Sequence, residues 1–227
     1  MAQYKDINYE LKQSKRKTLS IYIERDGGVT VLAPEHLNID EIEKVIEEKR
    51  YWIYSQLEEW KYLNSAKVKR QFVNGEGFLY LGRSYRLKLV EEQDEPLKLY
   101  QGYFCLRKKD ISCAPEYFKD FYRTKGAEKL KDRVDHYKDM IGVKPQGIRV
   151  MELKNRWASC SDNNILNFHW KLIMAPMTVI DYVVVHEMAH FLYPNHNESF
   201  WNVVDKVLPD FLERKNWLRE KGAALDI

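Results

Sequence analysis

Residues 179–192, VIDYVVVHEMAHFL, form an apolar run that carries two histidines and a glutamate. His186 and His190 are four apart, so a helix stacks their imidazoles on one face, within reach of a single ion. A run this apolar belongs in a core, where two imidazoles and a carboxylate without partners would be costly. A shared metal removes that cost, and zinc suits imidazole nitrogens in tetrahedral geometry. Glu187 adjoins the first histidine and is expected to project toward the open side of the ion, as a base that takes a proton from water. The run therefore predicts a buried helix holding a catalytic zinc, one ion per chain.

Such a site needs a third protein ligand. His196 follows His190 after five residues and is the expected one. Glu198, Asp205 and Glu213 on the following helical stretch are the alternatives, Glu213 the foremost. Tyr182 and Tyr193 are candidate hydrogen-bond donors to a reacting carbonyl. Arg156 is either a structural cation tying its loop to the zinc helix or a partner for an oxyanion or a substrate carboxylate. His169 is expected to be structural, and Cys160 a small buried residue rather than a nucleophile. His36 and His136 are isolated and are assigned nothing.

The rest of the chain sets the scaffold. Its 227 residues, 44% hydrophobic and 31% charged, are enough for a substantial core. Short alternating or β-branched segments at 7–13, 18–25 and 28–33 predict strands, with Asp26-Gly27-Gly28 as a hairpin turn. A helix capped by Asn38 or Asp40 is expected to run to about Tyr62. Four more strands are expected within 78–108, then a helix over 114–141, with Pro115 near its start and Gly142 just past its end. Two strand candidates follow, 147–153 and 164–173, joined by NRWASCSDN. The second is either an edge strand that pairs with an extended substrate or an internal strand of the sheet. The zinc helix is expected to start with a Thr178–Asp181 capping box and to end at Tyr193-Pro194. A last helical pair, 198–208 and 209–221, is divided by Pro209.

These elements predict an α+β chain: a β-rich N-terminal region with one long helix over 1–112, and a helical core with a small mixed or antiparallel sheet over 113–227. A net charge of +3 does not favour a nucleic-acid partner. The basic runs Lys15-Arg16-Lys17 and Lys67–Arg70 are expected to be solvated faces. Three cysteines without a CxxC pair, and no signal-like or membrane-spanning run, predict a cytoplasmic protein.

VVVHEMAHFLYPNHNESFW resembles the signature of the YgjP-like metal-dependent hydrolases, relatives of SprT-like and other zincin metallopeptidases. The family pattern places HExxH on His186, Glu187 and His190, a further histidine on His196, and an aromatic pair on Phe200-Trp201. Arg156–Ser161 (RWASCS) resembles the family's RWGSCS, with Ala158 where glycine is usual, though Tyr193 replaces the glycine of the longer zincin motif. SKRKTLSIYI and LGRSYRLKL also resemble family segments. The resemblance implies a zincin-like C-terminal core, three histidine ligands and a zinc metallopeptidase acting on extended or unfolded peptides. A hydrolase of nucleoside triphosphates or phosphate esters, and a non-catalytic zinc-containing binding module, are the competing functions.

Overall fold

The computed structural model describes residues 2–24, 27–65, 70–153, 156–161 and 163–227, with backbone alone for 63–65. Asp26 of the expected hairpin turn, Lys67–Lys69 of the second basic run, and Asn155 and Asp162 of the NRWASCSDN segment lie outside the described residues. The chain divides into two compact units, Met1–Lys67 and Val68–Ile227.

The first unit is a four-stranded sheet with one long helix. Its strands are β1 (Ala2–Tyr4), β2 (Ile7–Ser14), β3 (Ser20–Ile23) and β4 (Val29–Pro34), in the order β1-β2-β4-β3. Strand β4 pairs parallel with β2 and antiparallel with β3, and Gly27 takes φ +87° in the β3–β4 turn. Helix α1 (Ile39–Ser65) starts at a complete capping box. The Glu41 N–H donates to Asn38 Oδ1, and the Asn38 N–H donates to Glu41 Oε2, both at 2.9 Å. Asn38, not Asp40, is thus the cap. Ile42, Ile46 and Ile53 recur at helical spacing and are fully buried with Ile7, Tyr9, Val29, Val31 and Ala33.

The second unit opens with strands β5 (Gly77–Tyr80), β6 (Arg83–Val90), β7 (Leu97–Tyr100) and β8 (Tyr103–Arg107), ordered β5-β6-β8-β7. Helix α2 (Ala114–Ile141) crosses it, with Pro115 in its first turn and Gly142 as a left-handed cap at φ 79°. Phe78 stacks on Phe118 at 4.2 Å between centroids, and Phe104 lies 5.0 Å from Phe118 and 5.1 Å from Phe121. Phe78, Phe104 and Phe118 are fully buried, each contributing about 2–3 kcal/mol of hydrophobic stabilisation. This joint core corrects the domain boundary expected at 112/113. The sheet of residues 77–107 belongs with the helices that follow it, and the division falls at 67/68 instead. The α+β class stands, with β-rich and helical layers sharing one core in this unit.

A second sheet of three strands completes the unit. Strand β9 (Gly147–Met151) pairs parallel with β11 (Ile165–His169), and β10 (Ala158–Cys160) pairs antiparallel with it, so the order is β10-β11-β9. Strand β11 is therefore central, with partners on both sides. Of the two readings of this strand the internal one holds; the edges are β9 and β10, the latter inside a segment read as a connector. Leu166, Phe168 and Ala158 turn one face of the sheet into the core. Three helices follow: α3 (Met177–Ala189), α4 (Glu198–Val207) and α5 (Phe211–Lys221).

Candidate metal centre

Helix α3 is buried along most of its length, as its apolar run requires. Its start departs from expectation. Pro176 is the N-cap and no side chain caps the helix. Asp181 is claimed by Arg133 of α2, which donates to its two oxygens at 2.6 and 3.2 Å. A paired, nearly buried carboxylate is a stronger sink for Asp181 than a cap. The Val179 and Ile180 N–H groups donate to the Pro176 carbonyl instead.

The helix also ends early, at Ala189, with His190 as its C-cap. The chain then tightens into turns: Phe191 and Leu192 donate to the carbonyls of Met188 and Ala189 three residues back. This tight exit carries the chain around to His196. Asn197 then caps α4, its Oδ1 accepting the Phe200 N–H at 2.9 Å.

The result brings His186, His190 and His196 together. One ring nitrogen from each lies within 4.8 Å of the others, and the three form the candidate ligand group found among the described residues. Glu198, Asp205 and Glu213 are not part of it. His186 Nε2 and His196 Nε2 are 3.0 Å apart. Two nitrogens on one tetrahedral zinc sit about 3.3 Å apart, close to that separation. His190 Nδ1 lies 3.1 Å from the Tyr193 carbonyl, to which it can donate. That bond leaves Nε2 with its lone pair and fixes the ring, as a backbone carbonyl behind a metal ligand does. His186 Nδ1 is buried without a hydrogen-bond partner among the described residues. Without an ion, these three rings satisfy their polar atoms poorly; with one, the convergent lone pairs have an acceptor. The donor set, three imidazoles and no thiolate, fits a zinc site with one position open.

The electrostatics agree. Burial, reinforced by His190, His196 and Lys215, holds the His186 pKa down to about 3. The ring is therefore neutral at physiological pH, as a ligand must be. His196 shifts the same way, from burial first and then His190 and Lys215.

Aromatic rings set the geometry. Phe200, with no exposed surface, lies 5.0, 4.7 and 4.7 Å from the centroids of His186, His190 and His196. Trp201 stacks on His196 at 5.6 Å and 24°, and Phe211 stacks on Trp201 at 5.3 Å and 18°. Lys215 Nζ sits 4.6 Å from the Trp201 centroid. Phe200 and Trp201 thus both pack directly against the histidines.

Glu187 is 8% exposed and lines an open cleft of about 490 Å³ together with the three histidines, Arg156 and residues 158–161 of β10 and its end. Burial pushes its pKa up to about 7, against the Arg156 charge and a hydrogen bond from the Cys160 N–H. Strand alternation explains that bond. Trp157 and Ser161 engage β11 through the His169 N–H and the Ile165 carbonyl, so Ala158 and Cys160 present their backbone groups to the other side. Among the described residues no further strand pairs with that edge.

Other expectations resolve here. Tyr182 is buried beside His186, at 5.7 Å, and burial pushes its pKa up to about 12. Tyr193 serves through its carbonyl rather than its hydroxyl. Neither tyrosine lines the cleft. Arg156 is exposed on the cleft wall and makes no hydrogen bond to α3 among the described residues; it acts on that helix through its charge on Glu187. His169 is structural: Nδ1 accepts the Lys171 N–H at 3.0 Å, and Nε2 is 3.2 Å from Glu152 Oε1. Cys160 is half-buried, and its Sγ donates to the Ser161 carbonyl.

The backbone roles of Tyr193 and Cys160 carry no side-chain signal in sequence. The ring contacts of Phe200 and Trp201 were signalled by an aromatic pair four and five residues after His196.

No curated protein matches the chain. Among solved structures, the crystal structure of the metallopeptidase zymogen of Pyrococcus abyssi abylysin aligns with 25% identity, covering 42% of this chain and 96% of that one. Its TM-score of 0.40 is too low to carry a conclusion. Among the described residues no helix is long and apolar enough to cross a membrane. The family model described as YgjP-like, metallopeptidase domain, matches residues 17–221. The chain belongs to the YgjP-like metallopeptidase family.

Proposed function

We propose that this chain is a single-zinc peptidase that hydrolyses extended or unfolded polypeptide, with His186, His190 and His196 as metal ligands and Glu187 as the catalytic acid–base. The observation that carries this reading is the juxtaposition in one cleft of three convergent imidazoles and a buried carboxylate. A zinc ion bound there supplies Lewis acidity and lowers the pKa of water toward about 7.

Glu187 does the proton work. Burial places its pKa near neutrality, where a carboxylate both accepts a proton from the attacking water and returns it to the departing amine. The Cys160 N–H holds the carboxylate in one orientation while it does so. Beside these groups the outer edge of β10 offers the Ala158 N–H and the Ala158 and Cys160 carbonyls, the Cys160 N–H being taken by Glu187. An extended peptide pairs with such an edge through its own main chain, which makes binding tolerant of sequence. A peptide so placed runs past the histidines and Glu187 on the same cleft wall.

The test uses the purified full chain. Zinc content is measured per chain, and cleavage of an unfolded protein is followed with wild type, Glu187→Gln and His196→Ala. Wild type should hold one zinc and cleave. Glu187→Gln should keep the zinc and lose cleavage by about 10²–10⁴-fold. His196→Ala should lose the metal. Cleavage of nucleoside triphosphates but not of polypeptide would replace the peptide substrate. Retention of zinc in His196→Ala, with loss in Glu213→Ala, would move the third ligand.

A further inference from the structure

The outer face of the three-stranded sheet carries a polar row. Register places Ser159 of β10 opposite Asn167 of β11, and Asn167 opposite Arg149 of β9. Leu166 and Phe168 turn to the other, buried face, so the row points away from the core. Over it lies a cleft of about 500 Å³, lined by this row with Glu152 and Arg156. Arg156 and Ser159 also line the cleft of the metal centre. The two clefts therefore meet across the edge strand, one on each side of it.

The charge in this second cleft is unbalanced. Among the described residues, neither Arg149 nor Arg156 has an ion-pair or hydrogen-bond partner, and both are exposed. The acid within reach is already engaged. Glu152 is paired with Lys119 at 2.8 Å, accepts the Trp170 Nε1–H at 2.8 Å and faces His169 Nε2 at 3.2 Å. Arg156 acts on Glu187 of the neighbouring cleft through its charge but forms no ion pair with it, so among the described residues both guanidinium groups keep their N–H donors for a ligand. Beside a serine and an asparagine they suit a carboxylate, which accepts paired N–H bonds from a guanidinium.

We propose that this cleft is a substrate subsite for an acidic side chain, and that Arg149 and Arg156 give the enzyme a preference for Asp or Glu close to the cleaved bond. The proposal rests on the peptidase reading. Side chains of a strand alternate between faces, so a peptide paired with the edge of β10 sends every second side chain over the outer face. The residues that do so pass the Arg156 end of the second cleft while the backbone runs past the histidines. A phosphate ester would use the same arginines; the continuity of the cleft with a strand edge that no further strand covers among the described residues favours a peptide carboxylate.

The test compares zinc-loaded full-length wild type with Arg149→Gln and with Arg149→Gln/Arg156→Gln. The substrates are extended fluorogenic peptides that differ by Glu against Gln at one position, scanned on both sides of the cleaved bond. At one position wild type should favour Glu about fivefold in kcat/KM at low salt, as expected for a half-solvated ion pair. The preference should shrink as salt screens it, and fall to about one in the double variant. Arg149→Lys should recover part of it. Equal rates for Glu and Gln at every position, or a preference that survives both substitutions, would overturn the subsite while leaving the peptidase intact. Binding of the labelled peptides to Glu187→Gln separates the two ideas further. An arginine-dependent preference for Glu in binding, with no peptide cleaved by wild type, would uphold the subsite and remove the peptidase reading. An arginine dependence shown by a nucleoside triphosphate and not by the Glu peptide would overturn the carboxylate assignment.

Discussion

Replacing Trp201 with alanine should weaken zinc binding through a residue that is not itself a ligand. His186 and His190 are held by a helix and its cap, but His196 is exposed in the loop before α4. What orients its ring is the ladder His196–Trp201–Phe211, stacked at 5.6 and 5.3 Å. A stacked aromatic pair contributes about 0.5–1.5 kcal/mol beyond its buried area, which corresponds to roughly a two- to twelvefold change in affinity. Trp201→Ala should thus raise the zinc dissociation constant by about fivefold, and Trp201→Phe, which keeps a ring face, by less. Competition against a chromophoric chelator at pH 7.5 measures it, with unfolding followed in parallel because half-buried Trp201 also contributes about 2 kcal/mol of packing. The decisive arm is Trp201→Leu, which keeps apolar bulk but has no ring face: if the ring acts by stacking on His196, Trp201→Leu should lose as much affinity as Trp201→Ala. Wild-type affinity in Trp201→Leu, or in Trp201→Ala itself, would refute the stacking argument.

Three further outcomes follow from the scaffold. Gly82→Ala should destabilise the protein by about 2–3 kcal/mol in urea unfolding, because Gly82 has φ +77° and a Cβ there would lie 2.8 Å from Pro176 Cα. Asp181→Ala should cost about 3 kcal/mol by the same assay, since it strands the largely buried Arg133 without its bidentate partner. Glu152 is subject to burial, which alone would raise its pKa, but hydrogen bonds from Lys119 and Trp170 and the nearby His169 outweigh it and bring the pKa down to about 2. A depressed carboxylate pKa stabilises the fold above the unfolded value of about 4.5, and that stability is lost as pH falls through 2. Thermal melts of Glu152→Gln should therefore lie below wild type at pH 7, by about 1 kcal/mol after solvent screening of this half-exposed group, and converge with it near pH 2.

The histidine cluster was legible in the sequence because its determinants are local. Two histidines one helical turn apart, and a third just past the helix, need only a helix and a tight exit to converge. The capping box of α1 was equally local, and its Asn38 and Glu41 form it. The Thr178–Asp181 box failed because Arg133, 48 residues earlier, holds Asp181. Strand β10 was missed because Ala158-Ser159-Cys160 is too short and too polar to show an alternating apolar pattern. Its edge position depends on β11 being paired on both sides, which no local pattern reports. The domain boundary was misplaced for a related reason. Strands precede helices along the chain, but Phe78 and Phe118 are 40 residues apart and stack face to face. The neutral state of His186 and the raised pKa of Glu187 come from burial, which composition does not reveal.

The shared aromatic core of β5–β8 and α2 decides how the chain can be shortened. A fragment beginning at residue 113 would keep every histidine of the centre, yet strip Phe118, Phe121 and Tyr122 of the sheet that covers them. It would also remove the Leu81 and Gly82 N–H groups that donate to the Ile173 and Met174 carbonyls just ahead of the histidine helix. Such a piece should be recovered as aggregate, whereas a cut near residue 70 leaves that packing whole. Gene libraries aimed at altered activity should accordingly span residues 70–227, because strands that never touch the cleft still support the helix that forms its floor.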